Sequence, residues 1–232
     1  MYDIERQKTI LAILSKNQSV SVTRLAQTLF VSPPTVRRDL DVLEEAGLIA
    51  RTHGGAVLRN TPEREIPLLF REDQNNAAKC RIAERAAAYV KAGDVIFLDA
   101  SSTVSYLVPH LEKIADITVI TNSPKTSMRL AECGIKNYST GGAMLLRSVA
   151  FVGPEAERFV AGINADVFFF SSRGYSEDGY ITDSSPEEAS LRRAMLARSQ
   201  SAVYLADSTK RNKKYMYNIC CLHDVVAHID EL

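Results

Sequence analysis

One stretch decides the fold of residues 1–59: Ser32-Pro33-Pro34-Thr35-Val36-Arg37-Arg38-Asp39-Leu40. Ser32 is a typical helix N-cap, and Pro33 suits the first helical position because no intrahelical N–H bond is needed there. Apolar side chains then recur at helical spacing, at Val36, Leu40 and Leu43. This spacing gives the segment one apolar face. The pattern predicts a helix that ends at Ala46-Gly47, since glycine commonly follows the last residue of a helix.

The segments around this helix complete a small domain. Two shorter helices are predicted before it, from apolar faces at Ile10, Leu11 and Leu14 and at Leu25, Ala26 and Leu29. Residues 48–58 are predicted to form two short strands around the turn Gly54-Gly55. Three helices followed by a hairpin are the elements of a winged helix-turn-helix, which we assign to residues 1–59. The polar segment 60–78, which contains Pro62 and Pro67, is predicted to be a linker.

The third helix has an outer face suited to contacts with DNA. If its apolar residues face the core, Thr35, Arg37 and Arg38 lie outside, near the helix start. Side chains at that place on a helix in the major groove reach bases and phosphates. Residues 1–59 hold eight basic and six acidic side chains, so charge gives weak support and a solvated charged helix stays the alternative. Asp39 is predicted to pair with an arginine inside the domain, because phosphates repel a carboxylate.

The composition excludes several classes of protein. The 232 residues hold 28 basic and 28 acidic side chains, and 46% are hydrophobic, as in an ordinary globular chain. No run approaches the roughly 18 apolar residues of a membrane helix, and the first residues do not resemble a secretory signal. The four cysteines lack the paired spacing of a zinc site or a disulfide framework. We expect a cytoplasmic protein with reduced cysteines, no membrane association and no bound metal.

Residues 79–232 alternate between strands and helices. Short apolar runs predict strands at 95–98, 118–120, 167–170 and 202–206. Amphipathic stretches predict helices at 103–113, 123–133, 154–162 and 186–199. The last of these begins with a capping box, Ser185–Glu188. Continuous apolar strands separated by helices predict an α/β domain with a mainly parallel sheet covered on both faces.

The residues that follow these strands form a candidate ligand site, because an open parallel sheet binds ligands outside the carboxyl ends of its strands. The candidates are Asp99, Ser101, Ser102, Thr103, Thr121, Asn122, Gly141, Gly142, Arg173, Gly174, Asp207 and Lys210. Hydroxyl residues that open a helix favour an anion. Lys210 or Arg173 suits a phosphate, and the carboxylates suit sugar hydroxyls. For each hydroxyl residue taken singly, ordinary helix capping is the alternative.

These residues resemble the DeoR family of bacterial transcriptional regulators. In the first domain the resemblance is carried by Arg6, Ser32–Leu40, Leu43–Gly47 and Thr52–Ala56. In the second it is carried by Phe70-Arg71, Lys79, Gly93-Asp94, Asp99–Thr103, Thr121-Asn122, Gly141-Gly142, Gly179, Thr182, Glu188-Ala189, Arg193–Met195 and Asp207–Lys210. Two departures concern the ligand site. Ser101 stands where many members have glycine, and Ser171–Gly174 stands where many have a Gly-x-x-Gly turn.

The resemblance implies a DNA-binding regulator with an effector-sensing second domain. The residues that it implies for DNA contact are Ser32, Thr35, Arg37, Arg38, Arg51, His53 and Gly54. The second domain is expected to be similar in fold to ribose-5-phosphate isomerase and to bind a phosphorylated sugar. We expect a repressor of carbohydrate metabolism genes that binds double-stranded operator DNA as a homo-oligomer, a dimer or a tetramer, because two-fold protein symmetry is mirrored in an operator.

Two alternatives stay open. In one, the second domain only oligomerises, and the residues after the strands are structural. The other is a sugar-phosphate isomerase, which needs a base and a stabiliser for the enediolate oxygen. The residue types suited to those roles are Asp99, Asp183, Glu188 and Lys210. We favour a sensor without catalytic residues, because a fold alone does not license an activity and a DNA-binding domain is unexpected on a simple isomerase.

Overall fold

The computed structural model describes residues 3–17, 19–58, 68–72 and 74–232, and it divides into two units, residues 1–70 and 71–232. The helices of these ranges are α1 (Asp3–Asn17), α2 (Val22–Leu29), α3 (Pro33–Glu45), α4 (Leu68–Arg71), α5 (Asn76–Ala86), α6 (Val108–Leu111), α7 (Pro124–Glu132), α8 (Pro154–Ala161) and α9 (Pro186–Ala197). The strands are β1 (Ser19–Ser21), β2 (Ile49–Thr52), β3 (Gly55–Leu58), β4 (Val95–Leu98), β5 (Thr118–Thr121), β6 (Asn137–Ser139), β7 (Ala143–Leu145), β8 (Ala150–Val152), β9 (Ala165–Phe170), β10 (Gly174–Tyr175), β11 (Tyr180–Asp183), β12 (Ser199–Leu205), β13 (Tyr217–Cys221) and β14 (Ala227–Ile229). Short 3-10 helices lie at Ala87–Tyr89, Val104–Leu107, Ser208–Lys210 and Leu222–Asp224.

The predicted linker 60–78 lies partly outside the described residues, and both of its prolines, Pro62 and Pro67, are in that part. Its described part is not structureless, since it contains α4 and the start of α5 at Asn76. The polar first residues of α5 hid this helix start from an apolar periodicity, which becomes clear only from Ile82 onward.

In the first unit, side-chain caps fix where α2 and α3 begin. The hydroxyl of Ser21 accepts the N–H of Arg24 at 3.2 Å, and that of Ser32 accepts the N–H of Thr35 at 3.4 Å. Phe30 ends α2 in the left-handed region at φ 54°. The predicted three helices, the N-cap at Ser32 and the hairpin of β2 and β3 are confirmed, and together they form a winged helix-turn-helix.

The wing contains a third strand that the sequence did not predict. β1 pairs antiparallel with β3, with Val20 opposite Ala56, so the described strands of this sheet have the order β1-β3-β2. A three-residue strand is too short to show an alternating pattern. A Cβ at Gly55 would lie 2.3 Å from the carbonyl oxygen of Val20, so this close approach requires glycine. The turn itself is formed by His53-Gly54, and Gly55 already belongs to β3.

Across the fully described residues 74–232, the main sheet has six strands in the order β14-β12-β9-β4-β5-β6. Every neighbouring pair in it is parallel. Successive side chains of β9 lie in different apolar clusters: Phe168 and Phe170 pack on one face and Phe169 on the other. The prediction of a parallel sheet covered on both faces is confirmed.

Smaller elements of the second unit escaped the sequence analysis. An antiparallel sheet of order β10-β11-β13 and the hairpin of β7 and β8 have strands of only two to five residues, too short to give a clear strand pattern. The helix predicted at 103–113 is split into the 3-10 helix Val104–Leu107 and α6. No helix within the described ranges is long and apolar enough to cross a membrane.

The start of α9 differs from the predicted capping box in one half. Ser185 caps the helix as predicted, accepting the N–H of Glu188 at 3.2 Å. The N–H of Ser185, however, donates to Asp183 Oδ1 at 3.2 Å, while the Glu188 carboxylate lies 3.3 Å from Arg192 Nη2. Asp183 therefore takes the N–H that a capping box would direct to Glu188.

Candidate functional site

The outer face of α3 presents two arginines at the start of the helix. Arg37 and Arg38 are exposed, while Val36 and Leu40 on the opposite side are fully buried. Thr35 is partly buried, and its hydroxyl lies 2.9 Å from that of Ser32. The structure thus places the two arginines where a groove-binding helix would need them, with the hydroxyl pair beside them.

The wing is tied to α3 through Arg51. Its guanidinium donates to Asp41 Oδ1 at 2.5 Å and to the carbonyl oxygen of Arg37 at 3.4 Å, and its backbone N–H donates to Glu44 Oε1 at 3.0 Å. The guanidinium of Arg51, which was predicted to contact DNA, is thus paired with a carboxylate of the protein. Arg51 is therefore placed to hold the wing against α3, while the exposed turn His53-Gly54 forms the tip.

A buried ion pair fixes α3 against α1. Arg6 Nε lies 2.5 Å from Asp39 Oδ2, and its Nη2 lies 3.0 Å from Oδ1, so the pair is bidentate. The hydrogen bond to Asp39 is the main cause that raises the pKa of Arg6 above its usual value. The prediction that Asp39 pairs with an arginine inside the domain is confirmed, and the carboxylate is buried rather than on the outer face of α3.

In the second unit, the parallel strands bring their carboxyl ends to one edge, and Lys210 joins two of them there. Its ammonium donates to the hydroxyl of Ser171, after β9, at 2.5 Å and to that of Thr103, after β4, at 3.3 Å. Burial lowers the pKa of Lys210 to about 8, an effect that nearby Asp207 partly offsets. A partly buried cation beside hydroxyl groups is an environment that an anionic ligand would stabilise.

Asp99 is a buried residue of the same strand edge, and its carboxylate is bonded to groups of the protein. Only 1% exposed, it accepts the N–H of Ser101 at 3.0 Å and the N–H of Ser171 at 3.2 Å. Its Oδ2 also accepts from Arg192 Nε at 2.8 Å. The carboxylate that the sequence analysis offered to sugar hydroxyls is therefore used by the protein to hold two turns of the edge.

Arg192 is the residue of this region that the sequence analysis missed. It pairs with three buried carboxylates, Asp99 and Asp183 at 2.8 Å and Glu188 at 3.3 Å. Burial lowers the pKa of Arg192, but the three carboxylates outweigh it, and the pKa is raised above its usual value. The spacing from Glu188 to Arg192 is a common surface pair on a helix, so nothing in the sequence marked it as buried.

Asn122 presents an acceptor at the end of β5. Its side-chain N–H donates to the carbonyl oxygen of Phe151 at 3.0 Å, which fixes the amide. Its Oδ1 is buried and has no hydrogen-bond partner among the described residues. Such an atom usually meets a partner, so a donor such as a sugar hydroxyl fits this position. The neighbouring Thr121 hydroxyl is used as an acceptor for the N–H of Ser123 at 3.1 Å.

Several other candidates have the local roles that were named as alternatives. Ser101 caps the following turn by accepting the N–H of Val104 at 3.2 Å, and Asp207 accepts the N–H of Thr209 at 3.1 Å. Ser102 is buried at the same edge. Gly142, at φ +109°, has no room for a side chain, since a Cβ would lie 2.6 Å from the carbonyl oxygen of Val152. Gly141 precedes it at φ +62°.

Arg173 and Gly174 lie against the small antiparallel sheet and its neighbouring loop. The guanidinium of Arg173 stacks 5.7 Å from the ring centre of Tyr215. A Cβ at Gly174 would lie 2.7 Å from Lys213, so this glycine permits close packing of β10 on the loop. Their contacts differ from those that join Lys210, Ser171 and Thr103, and the roles assigned to them in effector binding stay predictions.

The start of the second unit is bonded to residues beside the strand edge. Tyr106 donates its hydroxyl to the carbonyl oxygen of Glu72 at 3.0 Å, and Lys125 lies 2.6 Å from the Glu72 carboxylate. Lys79 donates to the carbonyl oxygen of Arg71 at 2.5 Å, and Asn75 to Asp207 at 3.4 Å. The first residues of the second unit are thus bonded to side chains of α5, of α7 and of the 3-10 helix Val104–Leu107.

The protein-family models that match the chain divide it into two parts, as the structure does. A model described as a DeoR-like helix-turn-helix domain matches residues 6–61. A model described as the DeoR C-terminal sensor domain matches residues 74–231. Together the two models cover nearly the whole chain.

Relatives with related descriptions match over most of their length. The uncharacterized HTH-type transcriptional regulator YulB of Bacillus subtilis is 39% identical over 222 residues, 95% of this chain and 86% of that protein. The transcriptional repressor AccR of Agrobacterium fabrum is 34% identical over 223 residues, 95% and 86% of the two chains. The L-fucose operon activator of Escherichia coli is 34% identical over 227 residues, 97% and 93% of the two chains.

Two solved structures match the chain at low sequence identity. eIF2B delta from Chaetomium thermophilum matches with a TM-score of 0.53 and 14% identity, over 71% of this chain and 61% of that chain. D-ribose-5-phosphate isomerase in complex with phospho-erythronic acid matches with a TM-score of 0.44 and 16% identity, over 57% of this chain and 52% of that chain. The match to eIF2B delta is evidence of a common fold and carries no activity with it.

Proposed function

The chain belongs to the DeoR family of transcriptional regulators, and from that premise we propose that it represses carbohydrate metabolism genes and releases its operator when a phosphorylated sugar binds. The observation that carries the proposal is Lys210, a partly buried ammonium with a lowered pKa between Ser171 and Thr103 at the strand edge. An anion at this place would restore the charge that burial disfavours.

The site has chemically different groups for the two parts of such a ligand. The ammonium of Lys210 suits the phosphate, which has strong acceptor oxygens and no donor when ionised. The unpartnered Oδ1 of Asn122 needs a donor, which a sugar hydroxyl supplies and a phosphate dianion does not. Gly141-Gly142, Ser102 and Asp207 complete the proposed set around them, and Ser101 and Asp99 support it from beneath.

DNA contact is proposed for the face of α3 with the exposed Arg37 and Arg38. Ser32 and Thr35 lie at the start of that helix, and the tip of the wing, His53-Gly54, is proposed to touch the sugar-phosphate backbone. Arg51 acts here mainly by holding the wing on α3 through Asp41. Since a dimer would present two such helices, we propose a homo-oligomer, a dimer or a tetramer, acting in the cytoplasm.

Coupling between the two functions is proposed to run through the segment that begins the second unit. Glu72 is bonded to Tyr106, which follows Thr103, and to Lys125, which follows Asn122. A ligand that draws these turns together would shift the segment that leads to the first unit. Release of DNA then requires that the ligand bind the DNA-incompetent arrangement more tightly.

Repression is proposed rather than activation, although the relatives include both a repressor and an operon activator. A dimer placed on an operator blocks transcription by occupancy alone, whereas activation needs a further contact with the transcription machinery. The division of the chain into a DNA-binding domain (1–59), a linker (60–78) and a sensor domain (79–232) belongs to the same proposal.

The test is fluorescence anisotropy of labelled DNA from upstream of the chain's own coding region, at fixed salt, because affinity for DNA depends steeply on salt. The protein is titrated first alone and then with a panel of sugar phosphates, each matched by its unphosphorylated sugar. We expect one sugar phosphate to release the DNA and its sugar to have no effect. Tight DNA binding that no compound shifts would instead support a second domain that only oligomerises.

A further inference from the structure

Three side chains of different chemistry meet at the end of β13, in a turn that the strand-edge site does not use. They are Cys221, the last residue of the strand, and His223 and Asp224 of the 3-10 helix that follows it. One sulfur, one imidazole nitrogen and one carboxylate oxygen all lie within 4.8 Å of one another. We propose that this turn is a transition-metal site that binds Zn²⁺ through these three side chains, with the fourth position open to water.

Two of the three ligands, Cys221 and Asp224, are held in place before any metal binds. The N–H of Cys221 donates to Asp224 Oδ2 at 2.7 Å, and the N–H of Asp224 points back to the Cys221 sulfur, so each residue fixes the other. His223 Nε2 lies 3.5 Å from the second oxygen of the same carboxylate. Metal–ligand bonds of roughly 2.0–2.3 Å require only a small contraction of such a cluster.

The donor set selects the class of metal. Thiolate, imidazole and carboxylate together suit the borderline-soft Zn²⁺, whereas Ca²⁺ and Mg²⁺ take oxygen ligands. Three protein ligands leave one tetrahedral position for water, as in open zinc sites. His223 and Asp224 are exposed and Cys221 is partly buried, so a metal ion reaches the turn directly from solvent.

The neighbouring Cys220 shows why the site uses one cysteine of the pair. Cys220 packs against the apolar cluster that contains Ile181 and Ile219, and its sulfur is not among the three donor atoms that meet in the turn. Cys220 therefore supplies an internal control for the metal titration, because it is a second thiol one residue away that packs against the apolar cluster.

The turn is also placed to respond structurally to a metal. The N–H of Leu222 donates to the carbonyl oxygen of Gly179 at 2.9 Å, and Cys221 pairs with Tyr180 across the sheet. A metal bound by these three side chains would fix the conformation of the turn at the end of β13, which is bonded through Leu222 to the loop between β10 and β11. β11 ends at Asp183, a partner of Arg192, so the metal site adjoins the small sheet that supports the sensor domain.

The test is titration of the reduced, chelator-treated full chain with Co²⁺, followed by displacement with Zn²⁺. We expect one equivalent of Co²⁺ to produce a thiolate-to-cobalt charge-transfer band that Zn²⁺ abolishes. C221S removes the band, and H223N weakens binding by about tenfold or more, as loss of a metal contact does. D224N keeps an oxygen that can accept the N–H of Cys221, so its weaker binding would report the lost carboxylate ligand rather than a lost cap.

Two control variants make the result decisive. C220S and C133S are expected to keep the band at full intensity, and far-ultraviolet circular dichroism checks that every variant is folded. The absence of a charge-transfer band with the wild-type chain would overturn the proposal, as would an undiminished band in folded C221S. A band that disappears in C220S instead would reassign the thiolate and contradict the site as stated.

Discussion

Among the described residues, each unit of the molecule contains one buried arginine, and the two make different contacts. Arg6 in the first unit joins α1 to α3 through Asp39, with the exposed Asp3 as an additional partner. Arg192 in the second unit holds three carboxylates that are all buried, from the strand edge, from β11 and from its own helix. The first arginine fixes a scaffold behind a binding surface, and the second reaches the binding edge itself.

The difference concerns what depends on each arginine. Asp39 leaves the outer face of α3 free, so the Arg6 pair supports DNA contact only by keeping the helix in place. Asp99, in contrast, divides its oxygens between Arg192 and the backbone N–H groups of Ser101 and Ser171. In the first unit, we therefore expect stability and DNA binding to be separable. In the second unit, we expect stability and effector binding to be coupled through Asp99.

The largest effect is expected for R192A. Removal of this guanidinium leaves three buried carboxylates without their cation, and breaking a buried ion pair costs about 3–5 kcal/mol. Hydrogen exchange with mass spectrometry can assign the loss to the second unit, which matters because the chain has no tryptophan to report it. The control is R193A, at the exposed neighbouring residue, with an expected change within about 1 kcal/mol. Equal effects of the two variants would contradict the network.

D39A is expected to destabilise the first unit by about 3 kcal/mol, at the lower end of the range for buried pairs, because Arg6 keeps Asp3 as a partner. The matched control is D41A on the same helix, since the pair of Asp41 with Arg51 is exposed and surface pairs contribute less than about 1 kcal/mol. If D41A were the more damaging of the two, the scaffold role of Asp39 would be wrong.

The double variant R37A/R38A tests the surface that the first ion pair supports. Each arginine that reads a base is worth about 1–3 kcal/mol, and each that contacts a phosphate contributes roughly 0.9 to the slope of log affinity against log salt. We expect operator binding to be lost while folding and ligand binding are retained. R158A, an exposed arginine on α8, is the control. Unchanged affinity of the double variant would remove α3 as the recognition helix.

The smallest effect is a pH dependence at the strand edge. Because the pKa of Lys210 is lowered to about 8, its ammonium is mostly charged at pH 7 and mostly neutral at pH 9. Binding of a phosphate ligand should weaken by about tenfold over this range, since the phosphate itself, with a second pKa near 6, stays dianionic. Calorimetric titration at both pH values measures it, and K210R, charged throughout, should abolish the dependence. An affinity that rises with pH would exclude Lys210 from the phosphate contact.

The same two arginines show how far the sequence could lead. Asp39 was predicted to pair with an arginine inside the domain, because the phosphates of DNA would repel a carboxylate that faced them. The helix starts at Ser32 and Ser185 and the parallel strands were also predicted, because caps and apolar runs are local signals. The position of the candidate site, at the carboxyl ends of the parallel strands, was predicted from the direction of the strands alone.

Arg192 could not be predicted, because its partners lie 93 and 9 residues away in the chain and meet it only after the sheet has formed. Asp99 was predicted to bind sugar hydroxyls because its residue type suits them. Its partners Ser171 and Arg192 are distant in the chain, so only the structure shows them. The Cys221 turn was set aside because its spacing is unlike a paired zinc motif, although a single turn brings three donors together.

The central claim is that a ligand bound at the strand edge and DNA bound on α3 each weaken the binding of the other, although they bind at different sites. Coupling of this kind is reciprocal, so the factor by which the sugar phosphate weakens DNA binding must equal the factor by which DNA weakens sugar-phosphate binding. The most direct measurement is calorimetric titration of the sugar phosphate into the full chain with and without saturating operator DNA. We predict weaker ligand binding in the presence of the operator, by the factor found in the anisotropy experiment. Equal ligand affinity with and without DNA would contradict the account.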